Sequence, residues 1–182
     1  ALVADHVVHG RIIFPGAGYM EMARAASPNA RALAGIFFMQ PLAVEAAGLI
    51  TECTVDGGRF DIRSSDDAGF VDAPVHCSGS VVPKGGLLKA SYAALRAYSN
   101  ECAEDVKALY EGFYSVGLAY GPSYRTLVQA WGGPSSAVSQ LKARSTQQGT
   151  AVHPADLDDA LCTSTFIHWT GGGNETRLPF SV

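Results

Sequence analysis

The chain has 182 residues, 47% of them hydrophobic and 16% charged, with a net charge of -4; this is enough to bury a core, and the balance excludes a disordered chain. The sparse positive charge excludes the electrostatic footprint of a nucleic-acid binder and a polybasic patch for anionic lipid. No apolar run approaches the roughly 20 residues of a membrane helix, and the first residues lack the charged and apolar regions of a signal peptide.

Cys53, Cys77, Cys102 and Cys162 lie far apart, so neither a zinc knuckle nor a redox pair is suggested, and reduced thiols in a cytoplasmic compartment are expected. There is no initiator Met, and both ends break off within patterned sequence. A piece of a longer polypeptide is the expectation.

In chain order, residues 1–15 pass from a short polar start to the apolar stretch 12–14 and stop at Pro15 and Gly16, a strand running into a turn. Pro15 stands where a helix begins. Tyr19, Met22, Ala23 and Ala26 then recur at the spacing of one helical face, and Pro28 and Asn29 stop the helix. Short apolar pieces at 36–39, 42–44, 49–55, 60–63 and 75–82, separated by Gly and Asp turns, predict an antiparallel sheet. A helix able to cover one face of that sheet makes an α+β layout.

Residues 84–103 read as a connector between two halves, 1–83 and 104–182. Residues 101–117 suit a helix around Val106, Leu109, Tyr110 and Phe113, closed by Gly117, and Tyr120, Gly121 and Pro122 give a turn. After a strand at 136–143, His153 and Pro154 repeat the earlier device of strand, Pro turn and helix, with Leu157, Leu161, Thr165 and His168 on one helical face. Each half thus holds one helix entered through a Pro, a duplication of architecture rather than of sequence.

Two constellations carry chemistry. His6 precedes Gly10, Pro15 and Gly16, which places an imidazole able to take a proton at neutral pH ahead of a helix N-terminus whose amides suit a developing oxyanion. In the second, Asp158 and Cys162 are four residues apart and share one face of the helix that follows His153 and Pro154. A carboxyl shielded by apolar neighbours can act as a general acid, although a helix N-terminus pulls its pKa the other way. Asp156 and Asp159 read as residues that favour the helix dipole. His6 and His9 lack an acidic ligand cluster, so no metal is assigned. His76 and His168 read as structural, and Tyr120 as either a core residue or a lining residue.

Together these residues resemble the dehydratase domains of polyketide synthases. The likeness rests on His6-x-x-x-Gly10-x-x-x-x-Pro15, Tyr120-Gly121-Pro122 and His153-Pro154-x-x-x-Asp158, in the family order, with support from the Val75-His76-Cys77-Ser78-Gly79 stretch and the Leu178-Pro179-Phe180-Ser181 ending. It implies a double hotdog fold, shortened at both ends, in which His6 and Asp158 are the catalytic pair. Gly10, Pro15, Gly16, Tyr120, Gly121, Pro122 and Cys162 would contact substrate. The implied reaction removes water from a 3-hydroxyacyl thioester: His6 takes the proton alpha to the carbonyl, Asp158 protonates the departing hydroxyl, and amides near Gly16 hold the enolate-like charge. No metal or organic cofactor is implied beyond the phosphopantetheine arm of an acyl carrier domain. That domain and the neighbouring synthase domains are the implied partners, and a homodimer is left open.

One position departs from the family pattern. Four residues after the Asp a Gln or His is usual, and here it is Cys162, a weaker hydrogen-bond partner. Two other readings therefore stay open: a product-template domain that guides cyclisation with a comparable His and Asp, and a non-catalytic hotdog module that only binds or packs.

Overall fold

Pro15 sets the start of the first helix: its φ of -72° and ψ of 147° give the extended N-cap geometry, and α1 follows over Gly16–Ala26. In the computed structural model, which describes residues 2–30, 32–45, 48–66, 69–83 and 102–167, Ser27 ends α1 because Pro28 disfavours helical geometry for the residue before it. Of the expected buried face, Tyr19 and Ala23 are buried, Met22 packs at the margin and Ala26 is exposed. The difference arises because α1 is covered on two sides, by a sheet and by a second-half helix, so burial also takes in Met20 and Glu21 while the last turn projects.

The covering sheet contains β3 (Ala32–Phe38), β4 (Ile50–Asp56), β5 (Arg59–Ser65) and β6 (Val75–Val82), ordered β3-β6-β5-β4 and antiparallel throughout. Strand β5 alternates as a half-buried strand should, with Phe60, Ile62 and Ser64 turned inward. Phe60 and Ile62 are 1% and 0% exposed, and each such burial contributes about 1.5–3 kcal/mol.

Ahead of α1, β1 (Val7–Val8) and β2 (Arg11–Ile12) form a hairpin. His9 and Gly10 occupy its turn with φ of 49° and 78°, the paired positive values of a type I′ turn that matches strand twist. Gly10 supplies one of them without strain.

The second half holds β7 (Cys102–Ala103), α2 (Val106–Ser115), a 3-10 turn over Pro122–Tyr124, β8 (Leu127–Gly132), β9 (Ala137–Leu141), α3 (Pro154–Cys162) and a 3-10 turn over Thr163–Phe166. Its strands pair in the order β7-β8-β9, antiparallel. Asp105 caps α2 by accepting the amides of Lys107 and Ala108. Strand β8 is not among the expected strands, since its register shifts between Leu127 and Gln129 and so breaks the period-2 pattern.

Helix α3 stops at Cys162, before Thr165, which is exposed in the 3-10 turn. The hydroxyls of Thr163, Ser164 and Thr165 bond back to the carbonyls of Asp159, Leu161 and Cys162, tightening the chain there. His168, the 178–181 motif and most of the expected connector lie outside the described residues. The last two connector residues form β7 and so belong to the second sheet.

The two halves meet at α1 and α3. Leu157 and Leu161 of α3 pack into the core of the first half, while Ala155 and Cys162 pack into the second. Helix α3 therefore lies along the seam.

Candidate active site

His6 is held in a backbone ladder that crosses the seam. On one side its carbonyl accepts the amide of Ile13 at 3.1 Å and Val7 pairs with Ile12. On the other, the amides of Ala119 and Gly121 donate to Val7 and Asp5 at 2.8 Å each, and His9 donates to Gly117 at 2.7 Å. The imidazole is buried, and its Nδ1 lies 2.7 Å from the Ile13 carbonyl. A carbonyl can only accept, so the proton of the neutral ring is assigned to Nδ1, leaving the Nε2 lone pair free. Nε2 faces Asp158 Oδ1 at 4.0 Å. Tyr120 and Tyr124 flank the ring, their centroids 5.4 and 5.5 Å away.

Asp158 is carried to this point by the first turns of α3. His153 is the N-cap, where its Nδ1 accepts the Ala155 amide at 3.2 Å, and Pro154 occupies the first helical position. Burial lowers the pKa of His153, with nearby Arg144 acting in the same direction, as suits a neutral ring that accepts a hydrogen bond. Burial raises the pKa of Asp158, and Asp159 adds to this, whereas His6 and the Tyr120 hydroxyl pull it down. Its Oδ2 is buried and makes no hydrogen bond to any described residue. Burial dominates at Asp158 and favours its protonated, uncharged acid.

Tyr120 both packs and lines the site. Its ring lies edge-on to Phe113 at 5.7 Å, and its hydroxyl stands beside Asp158 and Cys162. The Cys162 thiol is pushed far up by burial and by the two aspartates, so it is a protonated, inert group rather than a nucleophile.

The other expected contact residues have these positions: Pro15 is buried at the N-cap of α1, Gly16 opens that helix against the Phe38 ring, and Gly10 is exposed at the hairpin tip. Gly121 lies against the Asp5 carboxyl, and Pro122 starts the 3-10 turn with its side chain exposed. A groove of about 820 Å³ between α2 and β8, lined by Tyr110, Tyr114, Arg125 and Trp131 among others, includes neither His6 nor Asp158.

Several residues at the site escape sequence reasoning. Asp159 is more than a helix-dipole residue: fully buried, it accepts the Tyr110 hydroxyl at 2.8 Å together with the Thr126 amide and hydroxyl. Asp156 pairs with Arg144 at 2.7 Å. Glu21 on α1 accepts bonds from Arg24 Nε and Nη2 and from the Ala151 amide, each at 2.7 Å, and so ties α1 to the segment that starts α3. Asp5 accepts the Ser123 amide at 2.9 Å. Only the adjacency of Asp5 to His6 and of Asp159 to Asp158 could have signalled two of them, since their partners are remote in sequence.

Family models for a polyketide synthase dehydratase domain and a polyketide synthase dehydratase N-terminal domain match residues 1–64 and 93–182. Polyketide synthase ThaG of Burkholderia thailandensis is 31% identical over 93% of the chain, which spans 3% of ThaG's length. A trans-AT polyketide synthase dehydratase domain from Brevibacillus brevis, 27% identical, superposes with a TM-score of 0.79 over 99% of this chain and 70% of its own. Two structures of CurK dehydratase are 20% identical and cover 100% of this chain and 69% of theirs. They are inactive mutants, one with a His replaced by Phe (TM-score 0.81) and one with an Asp replaced by Asn (TM-score 0.80). The fold these likenesses show is the double hotdog, α+β.

Proposed function

This chain belongs to the polyketide synthase dehydratase family, and we propose that it removes water from a 3-hydroxyacyl thioester carried on the phosphopantetheine of an acyl carrier domain. The observation that carries this reading is the approach of His6 Nε2 to Asp158 Oδ1, 4.0 Å apart across the seam, with burial raising the Asp158 pKa. His6 Nε2 takes the proton alpha to the thioester carbonyl. The bond from the beta carbon to its hydroxyl breaks as Asp158 gives its proton to that oxygen, so water and the 2-enoyl thioester leave. An imidazolium and a carboxylate remain side by side, and return of the proton from Nε2 to the carboxylate restores both groups.

The enolate-like oxygen is assigned to the amides of Gly16 and Ala17 in the first turn of α1, which has no side-chain cap and in which the Gly18 amide already donates to the Pro15 carbonyl at 2.9 Å. Inactivity of the CurK mutants that lost a His or an Asp supports the same pair of roles here. The proposed partners are the carrier domain and neighbouring synthase domains, the proposed compartment is the cytoplasm, and a homodimer is the assembly to test.

The test is mass spectrometry of a carrier-bound 3-hydroxyacyl substrate after incubation with the chain, His6→Ala and Asp158→Asn. Loss of one water with the parent and not with either variant supports both roles. A second reading, a non-catalytic module, rests on Cys162, where a buried thiol stands in place of the family's amide or imidazole. Binding of the acyl carrier without turnover by any of the three proteins would favour it.

A further inference from the structure

We propose that Asp5 is a positioning residue that locks the 120–124 loop of the second half against His6. The proposal rests on the dehydratase reading for its meaning in turnover, but the contacts stand on their own. Asp5 binds the loop twice: its Oδ2 accepts the Ser123 amide at 2.9 Å, and its carbonyl accepts the Gly121 amide at 2.8 Å. The first of these contacts joins residues 118 positions apart.

The fit is close. A Cβ on Gly121 would fall 2.5 Å from Asp5 Cγ, so the loop backbone reaches the carboxyl only because residue 121 has no side chain. From the other side, Arg125 Nε donates to the Tyr120 carbonyl at 2.7 Å and Arg144 to the Ser123 carbonyl at 2.9 Å. Hydrogen bonds from Ser123 also hold the Asp5 pKa below its ordinary value, as suits a carboxylate that acts as an acceptor.

What the latch positions is the surround of His6. The loop carries Tyr120 and Tyr124, whose rings flank the imidazole, and the Tyr120 hydroxyl stands beside Asp158. Asp5 itself touches no reacting atom. Its neighbour His6 is pinned on the opposite side by Ile13, so the two contacts together fix the imidazole relative to the loop.

The experiment has two readouts on the 182-residue chain. The first is the chemical shift of the His6 ring protons, which sense the ring currents of Tyr120 and Tyr124 and do not depend on turnover. Asp5→Ala shifts them, whereas Asp5→Asn, which keeps an acceptor oxygen for the Ser123 amide, leaves them near the parent values. The second is steady-state dehydration: Asp5→Ala lowers kcat by about 10- to 100-fold with KM within about 3-fold, the signature of a displaced reacting group.

Gly121→Ala attacks the same contact from the loop side, and a double-mutant cycle separates positioning from general destabilisation. Asp5→Ala removes the two atoms nearest the new methyl, at 2.5 and 2.6 Å, and leaves only Asp5 Cβ at 2.8 Å, so the kcat losses of Asp5→Ala and Gly121→Ala are less than multiplicative in the double variant. Unmoved His6 resonances in a folded Asp5→Ala protein overturn the proposal, and so do kcat losses that multiply in the double variant. A parent chain that fails to release water counts against the dehydratase reading, while the ring-proton shifts still decide the latch.

Discussion

Asp158 and Asp159, consecutive on α3, send their carboxyls into opposite environments. Asp159 accepts three donors from Tyr110 and Thr126, whereas Asp158 Oδ2 is buried without a hydrogen bond to any described residue. One holds the second half together, and the other keeps one oxygen without a bond to any described residue where chemistry is proposed.

Stability measurements will therefore separate the neighbours. Asp159→Ala strands a buried hydroxyl pair and an amide, and the expected loss is about 3 kcal/mol. Asp158→Asn removes a poorly solvated carboxyl and is expected to be neutral or stabilising at neutral pH. Urea denaturation of both variants checks this, and equal losses would refute the division of roles.

The Asp158 contribution also has a sign in pH. Its folded pKa lies above the ordinary 3.8, so between the two values the unfolded chain releases a proton that the folded chain retains. Stability falls as pH rises through that window, by up to about 1.4 kcal/mol per unit. Asp158→Asn escapes the penalty, and its advantage over the parent is expected to grow from pH 4 upward. An advantage independent of pH would mean that the carboxyl is not buried as described.

Tyr120 tunes the same group. Its hydroxyl favours the charged carboxylate and lowers the Asp158 pKa, so Tyr120→Phe raises it further. Under the proposed mechanism activity requires the protonated acid, and the alkaline limb of kcat/KM moves to higher pH in the variant. A limb that stays in place or moves down contradicts the acid role of Asp158.

The Cys162 thiol is protonated and packed, so Cys162→Ala is expected to keep kcat within about 3-fold of the parent; loss of so weak a hydrogen-bonding group costs little. A loss of about 100-fold or more, comparable to removal of a general acid, would instead assign the thiol a chemical role.

What the sequence revealed of this site follows from the range of each interaction. The two Pro-entered helices were legible because turn chemistry and helical spacing are local, whereas the pairing of His6 with Asp158 came from the resemblance to polyketide synthase dehydratases. The partners of Asp5, Asp159 and Glu21 were not, since each bond joins segments distant in sequence and only the folded seam brings them together. Strand β8 was hidden by a shifted register, and the end of α3 by hydroxyls that bond back into the last turn.

Glu21 shows how such a remote contact can be tested. Burial would raise its pKa, yet the bonds from Arg24 and the amides of Ala151 and Val152 outweigh burial and hold it below the ordinary value. The folded state therefore keeps this carboxylate charged where the unfolded chain is already taking up a proton. Its contribution is complete above the unfolded pKa and is lost as pH falls through the folded one. Glu21→Gln is expected to cost about 1–3 kcal/mol at neutral pH, with the difference from the parent shrinking in acid. Because Glu21 ties α1 to the segment that starts α3, the same variant is expected to lower kcat more than it raises KM. Full activity in a destabilised Glu21→Gln protein would show that the seam tolerates movement and that Asp158 is placed by α3 packing alone.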